Sequence, residues 1–152
     1  MTISEPARSR EQRKQDVLTR LEKDEDAWVA TASATGEPHL IPLSFVWEHG
    51  TLLMCTRRAS PTLRNVESGD RPVQVTLGHT RDVVHITGTA VTISPSELPT
   101  DSADAFAAKI VWDPRENAAY TYFRVVPQHV LAWREANEIA GRELMRDGIW
   151  LV

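Results

Sequence analysis

Between Pro38 and Glu48 the large apolar residues Ile41, Leu43, Phe45 and Trp47 occupy every second position. That period of two belongs to a strand with one buried face, and it commits this part of the chain to a sheet. The flanks repeat the signal. Trp28 to Ser33 forms a short strand ahead of a Thr35-Gly36-Glu37 turn, and His49-Gly50 leads into a third strand, Thr51 to Thr56. Tight turns between the three imply an antiparallel meander. Further on, Val73 to Leu77 and Asp82 to Ile93 read as strands four and five. Gly88 in the middle of the fifth marks a bend or bulge, as a sheet needs where it curls. Tyr120 to Val126 and Val130 to Trp133, parted by Pro127-Gln128, give strands six and seven.

Helical spacing is confined to three places. Residues 9–26 carry Val17, Leu18 and Leu21 on one face, Ser60 to Glu67 forms a short turn of helix, and Ser102 to Val111 holds Phe106 and Ile110. After Asp113-Pro114, Arg115 to Ala119 adds another turn. The tail is helical up to Ala140 and ends in a short strand within RDGIWLV. The expected architecture is one domain, residues 1–152, mainly β with helical decoration: a six- to seven-stranded antiparallel barrel.

Composition narrows the function. With 152 residues, 41% hydrophobic and 25% charged, the chain is one ordinary globular domain, and no apolar run approaches a membrane span. MTISEPARSREQRKQ lacks the apolar core of a secretory signal, which places the protein in the cytoplasm. A net charge of −4 argues against a nucleic-acid partner held by a broad basic surface. The basic residues of the first helix are mixed with acidic ones and read as a solvated face. The single cysteine, Cys55, permits no intrachain disulfide and no CxxC motif, and is read as a packed residue. His79 and His85 have no third ligand at a recognisable spacing, so no metal is expected. Neither GxSxG, GxGxxG nor a P-loop is present.

The stretch of most chemical interest is Leu52 to Val66, LLMCTRRASPTLRNV, where a strand passes through Thr56, Arg57, Arg58 and Ser60 into a helix bearing Arg64 and Asn65. A helix start exposes unpaired N–H groups, and arginine offers a fork of donors, so the segment suits a phosphorylated ligand. A Ser-Pro helix start on a surface turn accounts for the same residues. Five tryptophans, at 28, 47, 112, 133 and 150, supply either core packing or the walls of a pocket for a flat ring.

The order of pieces, WVATASATGEPHLIPLSFVWEHGTLLMCT followed by RRASPTLRNVESGDRPVQVTLG, then TRDVVHITGTAV and WREANEIAGRELMRDGIWLV, resembles the pyridoxamine 5'-phosphate oxidase-like split β-barrel superfamily, including its flavin/deazaflavin-dependent oxidoreductase branch. The resemblance implies an FMN-binding-like split barrel that works as a homodimer with its cofactor between two barrels. It implies Thr56, Arg57, Arg58, Ser60, Arg64 and Asn65 as the phosphate segment. It also implies Pro42, Leu43, Ser44 and Phe45 as the strand beneath the cofactor ring. Thr62 departs from the pattern, standing where many relatives carry Lys. The implied activity is hydride transfer between F420 (preferred) or FMN and a small conjugated substrate, with no catalytic side chain indicated. Arg10, Arg13 and Lys14 are candidates for the anionic tail of F420. The basic C-terminal pattern of true pyridoxamine phosphate oxidases is not evident. The alternative is a non-catalytic carrier of a flavin, haem or other tetrapyrrole, with His39, His79, His85 and His129 as possible axial ligands.

Overall fold

The computed structural model describes residues 5–152, so the first four residues of the expected domain lie outside it. The elements are α1 (Arg10–Lys23), β1 (Asp26–Ala32), β2 (Pro38–Glu48), β3 (Thr51–Arg57), α2 (Pro61–Ser68), β4 (Val73–Leu77), β5 (Val83–Ile93), α3 (Thr100–Ile110), β6 (Tyr120–Trp133), β7 (Glu143–Arg146) and β8 (Ile149–Trp150). Every pairing is antiparallel. The strand order β3-β2-β1-β4-β5-β6 closes on itself through a β3–β6 pairing, and β7 and β8 extend the sheet beyond the closure. This is the expected barrel, with six strands in the ring.

The turns follow from local chemistry. His49 and Gly50 both have positive φ, 52° and 70°, as do Asp147 and Gly148 at 52° and 77°. Two consecutive left-handed residues twist a two-residue hairpin loop to match its strands, and Gly at the second position avoids the steric cost.

Several element ends shift, and the largest difference from the sequence reading is in the sixth and seventh strands. The expected sixth and seventh strands are a single strand, β6, with Pro127 inside it. Pro127 stands opposite Gly88, where the β5–β6 register shifts. A proline cannot donate to a ladder, so it is tolerated at an irregularity. Gly88 allows the two backbones to close there: a Cβ at this position would lie 2.7 Å from the Val126 carbonyl oxygen and 2.8 Å from Val125 Cγ1. The tail also resolves differently, with only a 3-10 turn at Ala136–Glu138 where a longer helical stretch was expected.

Two apolar clusters form. Inside the barrel, Phe45, Leu52, Met54, Val75, Ile86, Phe123 and Val125 pack with Val17 and Leu21 from α1. Outside it, α3 lays Ala103 and Phe106 over Val46, Leu53, Cys55 and Tyr122. Leu52 to Thr56 of β3, covered on both faces, are therefore all buried. That explains why LLMC reads as a continuous apolar run. Phe106 meets Tyr122 edge-on at 5.7 Å.

The N-terminal helix is not a solvated basic face. Arg13 is buried, its guanidinium donating to the carbonyls of Arg8, Ala132, Glu138 and Ala140. Lys14 donates to Val152 O at 2.7 Å, and Arg20 to Asp82 O at 3.1 Å. Arg8 binds Glu138 through its backbone N–H and side chain, at 2.8 to 3.0 Å, and Asp16 at 2.8 Å. Glu138 also accepts from the Arg134 N–H at 2.8 Å. Among the described residues no helix is long and apolar enough to cross a membrane.

Gly88→Ala should lower stability by about 1–3 kcal/mol in urea or thermal unfolding, because the added methyl meets backbone that cannot step aside. A second expectation concerns acid. The Arg8 hydrogen bonds pull the Glu138 carboxyl down to about 2 from its usual 4.5. A depressed native value contributes stability that is fully present above the unfolded value. That contribution is lost as the pH falls from about 4.5 towards 2. Unfolding followed across this window should show a smaller pH dependence in Glu138→Gln than in the parent.

Candidate functional site

The strand-to-helix turn after β3 is built by alternation and capping. Thr56 faces inward and is buried, with its hydroxyl 3.3 Å from that of Ser60. Ser60 is the N-cap of α2: its Oγ accepts from the Leu63 N–H at 3.1 Å, and Pro61 occupies the first helical position. The helix ends at Gly69, with φ 68°. Asn65 Nδ2 donates to Thr31 Oγ1 at 3.0 Å, which ties α2 to β1.

Beside this tie lies a groove of about 300 Å³. Pro61, Arg64 and Asn65 of α2 form one wall, and Ser33, Glu37, Pro38 and His39 of the β1–β2 hairpin form the other. Arg64 Nη1 donates to Ala59 O at 3.0 Å, and the guanidinium is exposed. His39 is half-buried and has no hydrogen-bond partner among the described residues. An exposed guanidinium, an amide, an imidazole and a nearby helix start can together hold an anion. Glu37 opposes a high negative charge in the same space.

The expected site residues divide. Arg64 and Asn65 line the groove, whereas Ser60 caps the same helix against Thr56 and neither of these two is in the lining. Arg57 lies one residue after inward-facing Thr56 and so emerges on the opposite face of β3, where it pairs with Tyr120 and stacks over its ring at 5.4 Å. Tyr120 in turn meets Trp112 edge-on at 4.8 Å. Arg58 Nε donates to Ala118 O at 2.8 Å. Neither Arg57 nor Arg58 lines the groove. Thr62 is fully buried and its hydroxyl has no partner among the described residues. A cation at 62 on this backbone would start from the interior.

On β2, Pro42 is exposed opposite Trp28, and Leu43 packs against the core from a half-buried position. Ser44 donates to Asp26 at 2.7 Å. Phe45 is wholly buried under Lys109 Nζ, 4.5 Å from the ring centre. These four residues offer a ligand their backbone and the Pro42 surface, while the Phe45 ring belongs to the core. Arg13 and Lys14 are committed to carbonyls, which removes them as a cationic groove. Burial pushes the Cys55 thiol up to about 12, leaving it a packed, unreactive group.

The other three candidate histidines are hydrogen-bonded. His85 donates to Gln74 at 2.6 Å, His129 to Glu143 at 2.8 Å, and His79 Nδ1 accepts from the Arg81 N–H at 3.2 Å. Burial, with His129 nearby, lowers the His85 pKa. No group of three metal-ligating side chains occurs among the described residues. Sequence reasoning missed the hairpin wall of Ser33, Glu37 and Pro38. The available signal was the Thr35-Gly36-Glu37 turn, but nothing local says which helix it faces.

Residues 14–134 match the family model described as pyridoxamine 5'-phosphate oxidase. No curated protein matches the chain in sequence. Among solved structures, a protein titled F420 reductase is 16% identical with a TM-score of 0.60, over 74% of this chain and 93% of that one. HutZ, the heme storage protein from Vibrio cholerae, is 15% identical with a TM-score of 0.65, over 79% and 94%. ChuZ from Campylobacter jejuni is 10% identical with a TM-score of 0.77, over 95% and 64%. At these identities the likeness is one of fold.

Proposed function

This chain belongs to the pyridoxamine 5'-phosphate oxidase family, and from that premise we propose that it is a cytoplasmic oxidoreductase using a flavin-type cofactor, F420 in preference to FMN. The observation that carries the reading is the meeting of Arg64, Asn65 and the Ser60-capped start of α2 on one wall of a groove. Those residues fit a phosphate: a guanidinium with free N–H donors, an amide, and the positive end of a helix. The preference for F420 rests on the solved protein of this fold titled F420 reductase.

When bound, such a cofactor supplies two-electron hydride chemistry towards a small conjugated substrate. The chain's own residues bind and orient. Arg64 holds the phosphate, the Asn65–Thr31 bond fixes α2 against the barrel, and β2 offers backbone and the Pro42 surface for a ring. Trp28 is 49% exposed and Leu40 60%, and with Pro42 they form an apolar outer face on β1 and β2. That face suits a second copy of the chain, whose contact would add a further wall beside the groove.

A second reading, a haem or tetrapyrrole carrier, is favoured by one feature. His39 lines the same groove without a hydrogen-bond partner among the described residues, and a solved protein of this fold is titled a heme storage protein. Absorbance titration of the purified protein with F420, FMN and haem separates the two. Saturable binding of F420 or FMN, with reoxidation of the reduced form by a conjugated acceptor, supports the oxidoreductase. A haem Soret shift abolished by His39→Ala supports the carrier.

Arg64→Ala should weaken flavin-type cofactor binding by about 1.5–3 kcal/mol, the value of a charge-assisted phosphate bond. Arg57→Ala should change it by less than about 0.5 kcal/mol, as expected of a surface residue away from the groove. Equal losses in the two variants would place the phosphate elsewhere. For the apolar face, light scattering should give a dimer mass for the parent and a monomer mass for Leu40→Arg; a monomeric parent removes the second copy from the site.

A further inference from the structure

On another side of the molecule, where the start of α1 meets the β7–β8 end of the sheet, lies a larger groove of about 560 Å³ that the proposed function does not use. Two of its three arginines stand without a carboxylate partner among the described residues. Arg10 Nη2 donates to the Glu143 carbonyl oxygen at 2.6 Å, its Nε is buried, and its Nη1 has no partner among the described residues. Arg142 is exposed, and the only bond of its guanidinium among the described residues is to Ile139 O at 3.1 Å. The carboxylate in the lining, Glu143, is already held by Arg146 and by His129 at 2.8 Å.

The remaining wall is apolar. Leu131, Ile139 and Leu151 line the groove, with Ile139 40% exposed and Leu151 41%. The Arg142 fork and Arg10 Nη1 keep N–H donors open to an acceptor, and the exposed apolar side chains beside them gain from being covered. Both are met by one molecule with an anionic head and an apolar body. Glu143 sets the charge: a single carboxylate can share the guanidinia, whereas a phosphate dianion meets more repulsion.

We propose that this groove is a second ligand site, taking a small organic monocarboxylate whose head lies between Arg10 and Arg142 and whose apolar body covers Leu131, Ile139 and Leu151. The site stands apart from the α2 groove and does not depend on the cofactor proposed there. Its cationic residues come from the N-terminal helix and the Gly141 turn, which are drawn together by the Arg8–Glu138 and Arg13–carbonyl bonds.

The test uses the full chain with octanoate as probe, and octan-1-ol, octylammonium and inorganic phosphate as controls, by calorimetry and amide chemical shifts. Octanoate should bind with a dissociation constant below about 1 mM, and Arg142→Ala should weaken it about tenfold. The shifts should centre on Leu131, Gly141 and Leu151, and Leu151→Ser should weaken octanoate while leaving the far-ultraviolet spectrum unchanged. Absence of binding at about 10 mM overturns the proposal, as does equal binding by octan-1-ol or equal affinity in Arg142→Ala. Shifts centred on Ser60 to Asn65 also overturn it, because octanoate would then occupy the α2 groove. Failure of the α2 groove to take any cofactor leaves these readouts unaffected.

Discussion

The close approach of β5 to β6 at Gly88 and Pro127 is the constraint on which the rest of the structure turns. β6 pairs with β5 along its length and with β3 over Tyr120 to Val125, so both its edges are committed where the ring closes. A straight eleven-residue β5 against a fourteen-residue β6 would leave β3 out of reach. The register shift lets the pair bend, and the missing Cβ at 88 makes room for the Val126 carbonyl. Once the ring closes, β3 is trapped between the barrel interior and α3, and the turn that follows it has a fixed point of departure.

That departure decides the site. Strand parity sends Thr56 inward and Arg57 outward, and the Ser60 cap then turns the chain into α2. The strands were legible in the sequence because alternation and turn residues agree: β2 and β4 have the expected limits, and Gly88 is the expected irregularity. Pro127 was misread because a proline in a ladder normally ends a strand. Only its long-range partner, Gly88, shows why it does not.

The candidate site was less legible, for a physical reason. Thr56, Ser60, Arg64 and Asn65 are adjacent through local geometry, and a local pattern finds them. Arg57 and Arg58 have the same composition signal, yet parity and the nearby Tyr120 ring and Ala118 carbonyl draw them away. Period-two reasoning carried one residue past Thr56 would have found this for Arg57. The hairpin wall that faces α2 is a tertiary pairing with no local signature.

The arginines show where the cationic character of an acidic chain goes. Arg8, Arg13 and Arg20 bind carbonyls or carboxylates across the junction between the N-terminal helix and the later strands, and Lys14 holds the last residue. Arginine suits this work because its five donors can reach several carbonyls at once, as Arg13 does. The consequence for binding is an uneven surface. The α2 groove keeps one exposed guanidinium, with Glu37 on the opposite wall, so a phosphorylated ligand proposed for it would have to draw on the helix start as well. The groove between α1 and the β7–β8 end keeps two guanidinia beside an apolar wall, with its one carboxylate already engaged. Charge placement, set by which arginines the fold consumes, thus distinguishes the groove proposed for a phosphorylated cofactor from the one proposed for a small amphipathic acid.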